Sequence, residues 1–268
     1  MSPSGPTSLA SLDGEIMLAA EAMIPATDDG LIRGDGAFEV VAVYHGRPYA
    51  MEAHMRRLER SGANLRLPID SETVRTEAYK LLAETTRSGA PGDHRLLRIM
   101  ITRGGRRVML TERLPPVPET VRVMSVRYSP TLLLDAIKSL SYGANMLATR
   151  LAQEAGFDEA LLVTPDGMVL EAPTSSIFWV LDGRLETTPL DDHVLASITR
   201  ALIADVTEVT ERSIALEDLY GADEVFLAST AREVVPVTAV DAQAFAASGP
   251  VTARTAQLVA DRIAAELG

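Results

Sequence analysis

The sequence predicts a mixed α/β protein of the α+β type in two domains. Residues 1–116 form a small N-terminal domain; residues 117–268 form a larger, strand-rich domain with helices outside. Three observations predict this. Leu114-Pro-Pro-Val-Pro-Glu119 puts three prolines within four residues, which makes an extended linker and no packed element. Before it, strand-like segments surround two stretches of helical period. After it, short apolar runs bounded by Asp-Gly and Gly turns alternate with helical stretches. At 268 residues, 47% of them hydrophobic and 23% charged, the chain has ample material for a core.

In order, Ser11-Leu-Asp-Gly-Glu-Ile16 reads as a short strand with an Asp-Gly turn. Thr27 to Gly36 carries glycines at 30, 34 and 36 and reads as a tight loop, after which Phe38 to Tyr44 is strand-like. Gly34-Asp-Gly36 is not a dinucleotide fingerprint, because no strand precedes it and no helix follows. His45-Gly-Arg47 turns the chain back into Pro48-Tyr-Ala50, a hairpin. Met51 to Ser61 reads as a helix in which His54, Arg57, Leu58 and Ser61 share one face. Val74, Ala78, Leu81 and Leu82 give residues 70–87 a helical stripe, ending before Ser88-Gly-Ala-Pro-Gly92. Arg95 to Arg103 alternates as a strand; Gly104-Gly-Arg-Arg107 is a mobile, cationic loop; Val108 to Leu110 resumes a strand.

Beyond the linker, Val121 to Tyr128 is a strand and Asn145 to Ala155 a helix ended by Gly156. Ala160 to Glu171 is a β-hairpin around Pro165-Asp-Gly167. Ile177 to Leu181 is a strand that Asp182-Gly183 turns back. Ser197 is the N-cap of a further helix. Glu224 to Ala228 is a buried strand running into the polar turn Ser229 to Glu233, and Thr252 to Leu267 is an amphipathic helix.

Composition excludes several function classes. A formal net charge of -12 opposes a nucleic-acid partner, which needs a basic footprint. The absence of cysteine rules out disulfides and thiolate metal sites, and no metal site is read. The N-terminal stretch Met1 to Asp13 has no basic n-region and no long apolar run, and no segment approaches the ~20 apolar residues of a membrane span. The expectation is a soluble cytoplasmic protein without a membrane partner.

Of 25 basic residues only Lys80 and Lys138 are lysines. Arginine stays protonated and cannot form a Schiff base, whereas a desolvated amine can attack a carbonyl. Lys80 falls off the apolar stripe of its helix and reads as solvated. Lys138 follows the apolar Leu132-Leu-Leu134 and Ile137, and composition leaves it open between an amine catalyst and a strand-end lysine reaching solvent. Arg57, Glu171 and the hydroxyl-rich turns at Thr199 and Thr230 accompany it.

The order and local sequence of these features resemble the class IV, fold-type IV pyridoxal-phosphate aminotransferases. That family holds branched-chain and D-amino acid aminotransferases, (R)-selective amine transaminases and aminodeoxychorismate lyase. The segments are Gly34-Asp-Gly-Ala-Phe-Glu39, His54-Met-Arg-Arg-Leu58, Lys138-Ser-Leu-Ser-Tyr142 through Asn145, Phe157-Asp-Glu-Ala160, Gly167-Met-Val-Leu-Glu171, Ser197-Ile-Thr-Arg200, and Ala222-Asp-Glu-Val-Phe226 with Thr230-Ala231. They span nearly the whole chain.

The resemblance implies pyridoxal 5'-phosphate as cofactor, with Lys138 as the residue that bonds it covalently and shuttles the substrate proton. Glu171 matches the acid paired with the pyridine nitrogen, Tyr142 the tyrosine near the ring oxygen, and Leu195 the apolar side chain against the ring. Arg57, Ile198, Thr199 and Thr230 match the phosphate-binding set. Phe38 is placed on the substrate side, Arg106 or Arg107 corresponds to the loop arginine that grips a substrate carboxylate, and Arg98 and the Thr230-Ala231 turn are the next candidates for that grip.

The implied reaction is ping-pong amino transfer from an amino acid donor, branched-chain or D-type, to a 2-oxo acid acceptor, in a homodimer. Aminodeoxychorismate lyase is the alternative within the family, and a cofactor-free binding module the alternative outside it. Ser176 stands where many members carry asparagine. The Tyr-x-Arg-Pro signature of L-branched-chain enzymes is absent, Thr102-Arg-Gly104 is closer to the D-amino acid and lyase branches, and Leu31 replaces a tyrosine of the D-amino acid enzymes.

Overall fold

A computed structural model of the chain describes residues 8–88 and 94–268. The chain divides into two compact units, each taken by itself. One unit is Met1–Pro116 with Ile137–Tyr142 and Leu267; the other is Val117–Ala136, Gly143–Glu266 and Gly268. The α+β fold class expected from the sequence is the one observed, with a sheet in each unit.

The first unit contains strands β1 (Leu9–Leu12), β2 (Glu15–Leu18), β3 (Gly36–Tyr44), β4 (Arg47–Pro48), β5 (His94–Thr102) and β6 (Arg107–Arg113), and helices α1 (Asp29–Ile32), α2 (Met51–Asn64) and α3 (Ser71–Arg87). The strands form one antiparallel sheet in the order β2-β1-β6-β5-β3-β4. Asp13-Gly14 and His45-Gly46 all take positive φ, the conformation that two-residue hairpin turns require. The loop expected at residues 27–36 contains a helical turn instead. Asp28 caps it by accepting from the Gly30 N–H at 2.7 Å, a local hydrogen bond that short acidic side chains supply.

Helices α2 and α3 pack on the sheet. Met55 and Leu58 of α2, with Val74 and Leu81 of α3, join Val41, Leu97 and Ile99 in one core. Each such side chain contributes roughly 1.5–3 kcal/mol by leaving water. Asp70 caps α3 through the Thr73 N–H at 3.1 Å, and Lys80 is exposed as expected. The loop Gly89–Gly92 lies outside the described residues.

The second unit contains β7 (Val121–Arg127), β8 (Glu159–Val163), β9 (Ser176–Leu181), β10 (Arg184–Thr187), β11 (Thr210–Glu211), β12 (Glu224–Ser229), β13 (Glu233–Val240) and β14 (Gln243–Ala244), with helices α4 (Gly143–Glu154), α5 (Ile198–Val206), α6 (Leu216–Leu219) and α7 (Pro250–Leu267). Its mixed sheet runs β11-β10-β9-β12-β13-β7-β8, with β14 on β13. The pairs β7–β8, β7–β13 and β10–β11 are parallel. Phe178 and Phe226 stack at 4.9 Å between centroids, and the buried Trp179 donates its indole N–H to Glu186 at 2.8 Å.

Gly156 ends α4 at φ +83 as expected. The return limb of the 160–171 hairpin pairs with β8 without forming a regular strand: the Leu162 N–H donates to the Glu171 carbonyl at 2.9 Å. Among the described residues, no helix is long and apolar enough to cross a membrane.

Candidate active site

In the first unit the site is built on the edge of β3. Strand β4 covers that edge only at Val43 and Tyr44. Near the other end the strap Ile137–Tyr142 takes its place. The Phe38 N–H donates to the Lys138 carbonyl at 3.0 Å, the Leu140 N–H donates to the Gly36 carbonyl at 2.9 Å, and Ala37 and Ser139 form an antiparallel bridge. The Lys138 N–H donates to Ser61 Oγ on α2 at 3.1 Å. The lysine backbone is thus held from a strand and from a helix.

Its amino group lies over the Phe38 ring, 4.6 Å from the centroid, and 5.9 Å from that of Tyr142. The two rings meet edge to face at 5.3 Å. The apolar setting of Lys138 therefore comes from these aromatics. Leu132-Leu-Leu134, which the sequence suggested for that part, forms an exposed turn with Leu133 at 89% accessibility.

The α2 face read from spacing is real: His54, Arg57, Leu58 and Ser61 are all buried. Sequence reasoning missed their partner. Glu39 of β3 is fully buried and accepts from Arg57 Nε and Nη2, both at 2.7 Å. His54 Nδ1 lies 2.8 Å from the same carboxylate. Burial opposes the Glu39 charge, but Arg57 and then His54 outweigh it and hold the carboxyl at about 2. Burial is also the largest influence on His54 and lowers its pKa; Glu39 opposes this, while the Arg57 and Lys138 charges add to it.

The cationic loop differs from expectation. Arg106 Nη1 donates to Asp13 at 2.7 Å, Arg107 grips Glu77 through Nε and Nη2, and Arg103 pairs with Asp35. The Thr102 N–H donates to the Arg106 carbonyl at 3.0 Å. The loop is a closed hairpin turn whose three charges are matched by acids distant in sequence. Arg98 is likewise paired, with Glu112 on β6 at 2.7 Å.

In the second unit, one Glu171 carboxylate oxygen accepts from the Leu195 N–H at 3.2 Å. The half-buried Tyr128 has its pKa raised, first by burial and then by the Glu171 charge. Ser197 caps α5, accepting from the Arg200 N–H at 3.2 Å. The Ile198 and Thr199 N–H groups belong to the first turn, which has no intrahelical acceptors. Thr230 and Ala231 sit in the short connection between β12 and β13. Arg232 anchors that connection by donating to Glu159 at 2.5 Å and to Ser175 Oγ at 2.6 Å. The pairing of Glu159 with Arg232 had no sequence signal, because it joins residues 73 apart.

A lysine amine set over aromatic rings, on a two-sheet α+β fold, agrees with the class of cofactor-dependent transaminases that the resemblance implied. Residues 36–240 match the Amino-transferase class IV family, and the chain belongs to it. It is 33% identical over 253 residues to a Methanocaldococcus jannaschii protein that carries the provisional name of branched-chain-amino-acid aminotransferase, covering 86% of this chain and 87% of that one. It is 32% identical over 261 residues to the D-alanine aminotransferase of Listeria innocua, covering 87% and 89%. A hypothetical aminotransferase of Mycobacterium tuberculosis, solved with α-ketoglutarate and PMP, superposes with a TM-score of 0.86 at 25% identity, covering 96% of this chain and 99% of that one. The same protein has been solved with PLP bound. Members of the family bind pyridoxal phosphate, and the chain is a class IV aminotransferase by membership.

Proposed function

We propose that the protein moves an amino group from a branched-chain or D-type amino acid to a 2-oxo acid, by a ping-pong mechanism with pyridoxal 5'-phosphate. The observation that carries the reading is Lys138, whose backbone is bonded to both β3 and α2 while its amine lies over Phe38.

The residues fit the cofactor. By the family resemblance, Arg57 in the first unit, and the Ile198 and Thr199 amides and the Thr230 hydroxyl in the second, are assigned to the cofactor phosphate, to which their donor types are suited. Glu171, oriented by the Leu195 N–H, would hold a proton at the pyridine nitrogen. Tyr142 is assigned to the ring oxygen and Leu195 to the ring face. When bound, pyridoxal phosphate supplies a carbonyl for the amine and a ring that accepts electrons from the substrate α-carbon. Lys138 Nζ would be the base that takes the substrate α-proton and carries it through the transfer. Phe38 and Tyr142 lie beside that amine and give it an apolar flank.

The donor carboxylate is assigned to Arg106. Its side chain is 41% exposed and contacts Asp13 through one nitrogen, whereas Arg107 is committed to Glu77 through two. A cytoplasmic homodimer completes the proposal, by analogy with the family.

The test is a panel of half-reactions. The holoenzyme is mixed with L- and D-amino acids and with (R)-amines, and loss of the cofactor's visible band is followed. Donors bearing an α-carboxylate should react fastest. Equal rates for simple amines would overturn the carboxylate assignment, and pyruvate release from aminodeoxychorismate without amino transfer would overturn the transaminase reading.

A further inference from the structure

The buried cluster behind Lys138 contains two titratable groups that the proposed reaction does not use, Glu39 and His54. Phe38 and Glu39 are neighbours on β3, so their side chains leave the sheet on opposite faces. One contacts the lysine amine. The other takes two of the three nitrogens of Arg57 and thereby fixes the plane of the guanidinium. His54, one helical turn before Arg57, bonds the oxygen that also receives Arg57 Nη2. Ser61, one turn after Arg57, holds the Lys138 N–H. One face of α2 therefore sets both the guanidinium and the lysine backbone.

An arginine side chain has several rotatable bonds and loses rotamer freedom when it binds an anion, unless that freedom is already gone. Here it is gone. Glu39 is 0% exposed and Arg57 4% exposed, so water does not compete for either. The arrangement also carries an opposing effect: the Glu39 charge reduces the net positive charge that an anion meets. Which effect dominates can be measured.

We propose that Glu39 is a positioning residue for cofactor capture, holding Arg57 in one orientation toward the cofactor phosphate, with His54 holding Glu39. This rests on the reading of Arg57 as a phosphate anchor.

The test measures binding of pyridoxal 5'-phosphate and of phosphate-free pyridoxal to the full-length apoprotein by fluorescence titration. The proteins compared are wild type, Arg57→Ala, Glu39→Gln, His54→Gln and the double variant Glu39→Gln/Arg57→Ala. Apoprotein melting is recorded for each. Glu39→Gln should weaken pyridoxal phosphate binding by ~10-fold or more, the range of a hydrogen bond to a charged group, and leave pyridoxal binding within about twofold. A merely structural role would weaken both ligands alike. His54→Gln, which leaves the Glu39–Arg57 pair in place, should give a smaller loss in the same ligand ratio; it keeps the question answerable if Glu39→Gln does not fold. The double variant should lose no more than Arg57→Ala alone.

An Arg57→Ala protein that still prefers pyridoxal phosphate over pyridoxal as wild type does would overturn the anchor reading itself. Loss in Arg57→Ala with none in Glu39→Gln, or tighter binding in Glu39→Gln, would overturn the positioning role alone. If Glu39→Gln does not fold, an unchanged ligand ratio in His54→Gln overturns it.

Discussion

At the scale of single residues the proposed function rests on Lys138 and Arg106. Lys138→Ala should keep the fold and lose turnover, and Lys138→Arg should do no better, since a guanidinium stays charged and forms no imine. Steady-state rates check both, and near-wild-type activity in either would remove Lys138 from the chemistry. Arg106 and Arg107, adjacent in sequence, should separate by experiment. Arg106→Ala should lower amino acid turnover roughly 10–100-fold with little change for amines, as expected when a substrate contact is lost. Arg107→Ala should instead cost about 1–3 kcal/mol of stability, because it leaves the largely buried Glu77 carboxylate without its partner. The urea midpoint reads the second effect and kcat/KM the first. The sequence showed two equal arginines on a loop. Their difference comes from Asp13 and Glu77, which only folding brings to them.

Among elements, α7 shows a contribution that local sequence reading cannot reach. Its N-cap is Gly249, with no side chain to offer and Pro250 next. Glu224, at the start of β12, supplies the missing acceptors: its two oxygens take the Val251 and Thr252 N–H groups at 3.1 and 2.7 Å. A carboxylate at a helix N-terminus both caps and opposes the positive end of the dipole. Glu224→Ala should therefore lower stability by ~1–2 kcal/mol, seen as a fall in the thermal midpoint. The strap on β3 depends on Gly36 in the same way. A Cβ there would lie 2.4 Å from the Ile101 carbonyl oxygen and 2.6 Å from Leu140 Cδ1. Gly36→Ala must move the strap or β5, and should destabilise the first unit while displacing Lys138; loss of cofactor retention on dialysis would report the displacement.

For the molecule as a whole, acid sensitivity follows from the buried cluster. The His54 pKa lies below its ordinary 6.5. The unfolded chain therefore binds a proton there more readily, and stability contributed by the neutral form above pH ~6.5 declines as pH falls below it. Glu39, lowered from 4.5 to about 2, adds stability present above pH ~4.5 and lost as pH falls toward 2. The urea midpoint should fall in two stages on acidification, and His54→Gln should remove the first stage and keep the second. A midpoint flat from pH 7 to 5 in wild type would contradict the burial of neutral His54.

Much of this protein is written in short range. The helical stripe of α3, the buried face of α2, the Asp-Gly hairpins and the Ser197 cap all follow from spacings of two to four residues, because helix and strand periods are local properties of the backbone. The family segments around Lys138, Glu171 and Thr230 were legible for the same reason: each is contiguous. The partners were not. Glu39 with Arg57, Arg107 with Glu77, Arg232 with Glu159 and Glu224 with the start of α7 join residues 18 to 73 positions apart. Nor could the linear order reveal that Ile137–Tyr142, beyond the proline linker, packs with the N-terminal unit. Residue types and local periods determine which elements form and which side chains are candidates for chemistry. Sheet order and packing decide which charge neutralises which, because a buried ion takes whatever partner the completed fold sets within hydrogen-bonding distance.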